Sequence, residues 1–130
     1  MTCELVLIIE DSERNRRLAR DLLQVHGYRT IEAETAEAGI SLATTHTPDL
    51  VVMDIHLPGI SGIEALARLR ADPATSTVPV MAFTASVMAQ DRSRILAAGF
   101  DAFVSKPIDL DAFMQTVASL LAHRFDGAGR

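Results

Sequence analysis

One hundred and thirty residues make one domain of ordinary size, and a hydrophobic content of 48% is enough for a packed core. Seventeen acidic residues against twelve basic ones leave a net charge of −5, which argues against binding dominated by nucleic-acid phosphates. Cys3 is the only cysteine, so a disulfide framework and a thiolate metal cluster are both excluded.

Apolar runs alternate with segments of helical period. LVLII (5–9) predicts a first strand, apolar on both faces. SERNRRLARDLLQVHG predicts a helix with Leu18, Leu22, Leu23 and Val25 on one stripe and Gly27 as its stop. YRTIEA (28–33) is a weaker second strand, and AEAGISLATTH (36–46) a short helix capped by Thr35. LVVMD (50–54) is the third strand. Ser61 and Glu64 have capping-box spacing and open a helix carrying Ile63, Leu66, Ala67 and Leu69. VPVMAFTA (78–85) is the fourth strand, with Pro79 near its start. MAQDRSRILAA predicts a helix ending at Gly99, and DAFVS (101–105) the fifth strand. Asp109 caps a last helix in which Leu110, Phe113, Met114, Val117, Leu120 and Leu121 keep i, i+3, i+4 spacing. The domain is expected to span 1–124, with 125–130 as a frayed tail. The N-terminal apolar run of five residues has no basic flank, too little for a signal peptide, and nothing approaches a membrane span. A cytoplasmic location follows as the expectation.

Strands without polar alternation, joined by helical crossovers, imply a parallel sheet covered on both faces: an α/β doubly wound sandwich. In such sheets ligands bind beyond the carboxyl ends of the strands. Those ends carry Glu10 and Asp11, then Asp54, then Thr84 and Ala85, then Ser105, Lys106 and Pro107. Singly, each has a plain alternative. Glu10 and Asp11 precede a helix, where acids suit the dipole. Asp54 precedes a turn, Thr84 favours strands, Lys106 suits a solvated strand end, and Phe103 suits a core. Jointly they place three acids, a hydroxyl and a lysine on one edge. At about 4 Å and an effective dielectric near 20, two carboxylates repel by roughly 4 kcal/mol, so such a cluster shifts its pKa values or takes a cation. Oxygen donors alone point to a hard ion, Mg²⁺ (or Mn²⁺). A carboxylate is also a nucleophile able to form an aspartyl phosphate, and phosphoryl transfer needs the metal, the cation and the hydroxyl that this edge supplies. Ala85 leaves room beside the acceptor.

These residues resemble the receiver domain of two-component response regulators over essentially the whole chain. The matching pieces are IIED (8–11), MDIHLPGISG (53–62), FTA (83–85) and SKP (105–107), in the family's order and spacing. The resemblance implies a flavodoxin-like (βα)5 fold with strand order 2-1-3-4-5. It implies that Asp54 accepts the phosphoryl group and that Glu10, Asp11, Asp54 and the backbone carbonyl of His56 hold Mg²⁺. Thr84 and Lys106 match the residues that hold the phosphoryl group, and Phe103 matches the switch aromatic. Lys106–Pro107 matches a peptide bond usually cis in the family. Glu10 departs mildly, since many relatives have aspartate there. His56 and Ser86 stand where the family tunes dephosphorylation.

The resemblance further implies a phosphorelay component that is not a turnover enzyme, of the single-domain, DivK-like type or a receiver of a hybrid histidine kinase. Its implied partners are a histidine kinase or histidine phosphotransfer protein and a downstream protein target, with no direct nucleic-acid or membrane contact. It is expected to be a monomer or a weak phosphorylation-dependent dimer. Arg14, Arg16, Arg17 and Arg20 serve either partner recognition or simple solvation of helix one. Three rivals remain. A haloacid-dehalogenase-type phosphatase wants an acid where His56 stands. A flavin mononucleotide binder wants a glycine- and hydroxyl-rich loop where EDSERN stands. A receiver-like interaction module acting without phosphorylation would normally lack part of the acid, threonine and lysine set.

Overall fold

The computed structural model describes residues 4–57, 59–84, 89–105 and 109–128, with the backbone alone for 89–92 and 123–128. Five parallel strands, β1 (Leu5–Ile9), β2 (Arg29–Ala33), β3 (Leu50–Asp54), β4 (Val80–Thr84) and β5 (Ala102–Ser105), alternate with five helices. The helices are α1 (Glu13–Val25), α2 (Ala36–His46), α3 (Gly62–Ala71), α4 (Ala89–Ala97) and α5 (Leu110–Ala128). The sheet runs in the order β2-β1-β3-β4-β5, so the chain reverses direction of travel between β1 and β3, as the sequence reading expected.

The sheet divides the apolar interior into two layers. Leu7, Ile9, Val51, Met53, Val80 and Ala82 face α2, α3 and α4, where Ala43, Leu66, Leu69 and Ile95 meet them. Val6, Ile8, Val52, Met81 and Phe83 face α1 and α5, where Leu23, Phe113, Val117 and Leu121 meet them. Burial on both faces is why β1, β3 and β4 read as unbroken apolar runs.

Caps stand at Thr35, Ser61 and Asp109, where they were read, and also at Ser12. Ser12, Thr35 and Ser61 accept from the backbone N–H of Asn15, Ala38 and Glu64, and Asp109 Oδ1 accepts from Ala112 N. Glu64 pairs with Arg68 at 2.9 Å. Two helix faces differ from the sequence reading. On α1 the side chains turned to the sheet are Ala19 and Leu23, while Leu18 is 43% and Val25 81% exposed. Val25 lies two turns from Leu18 on the same line, about a third of a turn away from the Ala19–Leu23 line. On α5, Leu110 is half exposed, because it opens the helix before the packing stripe begins at Phe113. Pro79 lies just before β4 rather than inside it, and its carbonyl accepts from Val51 N at 3.0 Å. The helix α5 continues to Ala128, past residue 124, with no proline to stop it.

The amino-terminal edge of the sheet is fastened by the same device twice. Asp49, just before β3, donates its N–H to Leu5 O and accepts from Leu5 N on Oδ2, both at 2.8 Å. Asp101, just before β5, donates to Val80 O at 2.9 Å and accepts from Val80 N at 2.8 Å. Arg70 locks the second fastening: Nη2 reaches Asp101 Oδ2 at 3.0 Å, and Nη1 donates to Val78 O at 2.6 Å. Arg70→Met is expected to lower stability by about 2 kcal/mol in urea unfolding, since a hydrogen bond from a charged donor is removed from Val78 O. Its effect on chemistry at the opposite edge should be negligible, and a loss of phosphorylation would contradict that separation.

Candidate functional site

At the carboxyl edge the strands deliver acids. Asp54 is the last residue of β3 and is 4% exposed; Glu10 follows β1 and is 1% exposed. β1 and β3 pair Ile9 with Met53, so the next residues, Glu10 and Asp54, stand side by side. Asp11 follows at the surface, and Ser12 begins α1. One oxygen from each of Glu10, Asp11 and Asp54 lies within 4.8 Å of the others. The adjacent acids Glu10 and Asp11 and the distant Asp54 thus form one cluster. All donors are carboxylate oxygens, two of them buried against apolar layers, which is the donor chemistry of a hard divalent cation.

Local hydrogen bonds orient these groups. Glu10 N donates to Ala33 O and Arg16 Nη1 donates to Glu10 O at 2.9 Å, while Glu10 Oε2 accepts from Ser12 N at 3.0 Å. Asp54 Oδ1 accepts from His56 N at 3.0 Å, a two-residue turn that fixes the carboxylate over the β3–α3 loop. The His56 ring side is exposed. Below Asp54 the backbone is packed tightly: Gly62 N donates to Ile55 O, and a Cβ on Gly62 would stand 2.7 Å from Asp54 O. Within the same loop Gly59 takes φ 82°, a conformation glycine adopts without strain.

Thr84 ends β4 and is fully buried. The register pairs Asp54 with Phe83, and Thr84 with Ser105, so Thr84 lies one residue beyond the acid on the neighbouring strand. Phe103 pairs with Ala82, which puts it on the same sheet face as Thr84, two residues down, half buried against the α2–α4 layer. Ala85, Ser86, Lys106 and Pro107 lie outside the described residues, so their expected places at this edge are not described.

Two contributors escaped the sequence reading. Gly62 was read only as part of a helix start, although a glycine directly after a cap is also a signal for close backbone approach. Arg16 was grouped with three other arginines as one surface set. Instead its side chain is 13% exposed and turned to Glu10 and Glu32, whereas Arg17 is 62% exposed beside Glu13. The fourth, Arg20, bonds Asp21 at 3.1 Å, a hydrogen bond that raises its pKa further.

An acid cluster at the switch point of this sheet defines a class. The chain belongs to the response regulator receiver domain family, whose sequence model matches residues 6–118. Among its relatives, the polar-differentiation response regulator DivK of Brucella abortus (strain 2308) is 42% identical over 116 residues, 89% of this chain and 94% of that protein. A putative response regulator from Chloroflexus aurantiacus superposes with a TM-score of 0.89 at 26% identity, covering 93% of this chain and 99% of that one. The receiver domain of a sensor histidine kinase from Pseudomonas aeruginosa PAO1 has a magnesium ion coordinated in its active-site cleft. It superposes with a TM-score of 0.86 at 25% identity, again over 93% and 99% of the two chains. The cluster of Glu10, Asp11 and Asp54 fits the active site of a receiver. Among the described residues no helix is long and apolar enough to cross a membrane.

Proposed function

We propose that this chain is the phospho-acceptor of a phosphorelay, with Asp54 as the residue phosphorylated. The observation that carries this reading is the convergence of three carboxylates, two of them buried, at the edge where the family places its chemistry. Glu10, Asp11, Asp54 and the backbone carbonyl of His56 would hold Mg²⁺, which when bound would supply positive charge against the negative charge of the phosphoryl oxygens. An oxygen of Asp54 attacks the phosphorus of a phosphohistidine. The P–N bond breaks, its electron pair returns to the imidazole nitrogen, which takes up a proton, and an acyl phosphate remains on Asp54. Thr84 and Lys106 hold the transferred group.

The modification adds roughly −1.5 to −2 charges and three strong acceptors to the edge. Thr84 shifts toward those acceptors, and Phe103, on the same sheet face, turns inward into the space released. The face formed by α4, β5 and α5 is remodelled as a result, and it binds a downstream protein or passes the phosphoryl group on. A histidine kinase or a histidine phosphotransfer protein is the donor. This is a signalling module and not an enzyme of multiple turnover.

Intact-protein mass spectra after incubation with acetyl phosphate test the reading. The expected result is a single phosphoryl adduct that forms with Mg²⁺ and does not form when EDTA is present from the start. Absence of an adduct, together with nuclear magnetic resonance spectra unmoved by beryllofluoride and Mg²⁺, would leave a receiver that signals by binding alone.

A further inference from the structure

We propose that Arg16 is a positioning residue for the acid cluster, fixing the backbone that carries Glu10 and Asp11 so that both carboxylates are set to receive the cation. The inference rests on the phospho-acceptor reading and adds to it a residue outside the set assigned there.

Glu10 stands one residue past β1, where regular strand pairing ends. Its N–H donates to Ala33 O at 3.0 Å, and its carbonyl accepts from Arg16 Nη1 at 2.9 Å. Arg16 reaches back to it from the first turn of α1, the direction in which helical side chains point. The guanidinium is itself held from the other side, with Nε 3.2 Å from Glu32 Oε1 on β2. Glu32 also faces Arg20 Nη1 at 3.5 Å. Arg16 therefore bridges the end of β1, the start of α1 and the edge strand β2, with little exposure to water. A carbonyl near the interior favours a donor, so removing this one loosens the turn that carries both acids. Only a planar fork bridges two such acceptors at once; an ammonium at that place forfeits one of them.

Charge and position predict opposite signs here. Arg16 is a cation bonded to the backbone of one of the three acids, so on charge alone its removal strengthens Mg²⁺ binding. If its role is to place the acids, removal weakens it. Isothermal titration of the full chain with MgCl2 separates the two. Arg16→Met is expected to raise the Mg²⁺ dissociation constant about tenfold, as loss of a residue supporting metal ligands commonly does. Arg16→Lys, which keeps the charge, is expected to raise it by less but still measurably. At saturating Mg²⁺ the rate of labelling by acetyl phosphate should return close to that of the unaltered chain in both. Binding as tight as or tighter than the unaltered chain in both variants overturns the proposal, whatever urea unfolding in EDTA reports of their stability. If Arg16→Met does not fold, Arg16→Lys decides alone. If the unaltered chain takes up neither Mg²⁺ nor a phosphoryl group, the phospho-acceptor reading fails and this inference with it. Uptake that the substitutions leave unchanged fails the inference alone.

Discussion

Asp54→Asn is expected to give no phosphoryl adduct under any Mg²⁺ concentration, and at the same time to be more stable than the unaltered chain in EDTA. The amide keeps an oxygen for the bond from His56 N, made at 3.0 Å in the structure, so the fold should survive. What disappears is one of three carboxylates whose oxygens lie within 4.8 Å of one another. Two of the three pairwise repulsions go with it. Each amounts to a few kcal/mol at an effective dielectric near 20, and because Asp11 is exposed the realised gain is smaller, about 1–2 kcal/mol. Magnesium reverses the order. At a hundred times its dissociation constant a bound ligand stabilises the unaltered chain by about 2.7 kcal/mol, a gain that the variant largely forfeits. Thermal unfolding in EDTA and across a MgCl2 series should therefore give curves that cross. An adduct persisting on the variant would move the acceptor elsewhere, and a variant less stable in EDTA would mean that the acids do not strain one another.

Gly62→Ala is expected to damage both stability and chemistry, against the usual direction for a helical glycine. Helix propensity alone favours alanine by up to about 1 kcal/mol. At this position, however, the new Cβ meets Asp54 O at 2.7 Å and Ile55 Cα at 2.9 Å. Both are backbone atoms, held by the β3–β4 ladder and by the bond from Gly62 N to Ile55 O, so neither yields as a side-chain tip would. Overpacking of this kind costs about 1–3 kcal/mol, which outweighs the propensity gain. The relief available is a shift of Asp54 itself. A displacement approaching 1 Å at a reacting group slows a reaction on the order of 100-fold. The labelling rate with acetyl phosphate at saturating Mg²⁺, measured beside a urea midpoint, checks both halves. A variant as stable as the unaltered chain and labelled at the same rate would show that the contact is relieved without moving Asp54.

The parts of the fold legible in the sequence were those governed by burial on two faces. β1 and β3 were read at 5–9 and 50–54, where the structure has them, because a strand covered on both sides cannot carry polar residues until its tip. The same rule exposed the acids: a carboxylate ending an apolar run is conspicuous. Side-chain direction on a single helix was less legible. The inward line of α1 includes Ala19, a small residue that hydrophobicity undervalues, while Val25 is apolar and exposed. Gly62 and Arg16 were missed for a related reason. Each acts on the backbone of an acid, Gly62 through what it lacks and Arg16 through a bond to Glu10 O, and pairings across loops leave no periodic trace.

The paired fastenings at the amino-terminal edge have a consequence for how this sequence can change. Asp49 and Asp101 spend their carboxylates on the first amides of β1 and β4, with hydrogen bonds that close on themselves. Glu10, Asp11 and Asp54 stand at the far ends of the strands, crowded together. The same chemical group thus anchors the sheet at one end and opposes its own neighbours at the other, separated by the length of a strand. Substitutions at the amino-terminal fastenings therefore change robustness a strand's length away from the crowded acids, whereas substitutions at the acid edge change robustness and reactivity together. A lineage built on this plan can adjust how firmly it folds without touching its acids, but it cannot retune the acids without also changing how firmly it folds.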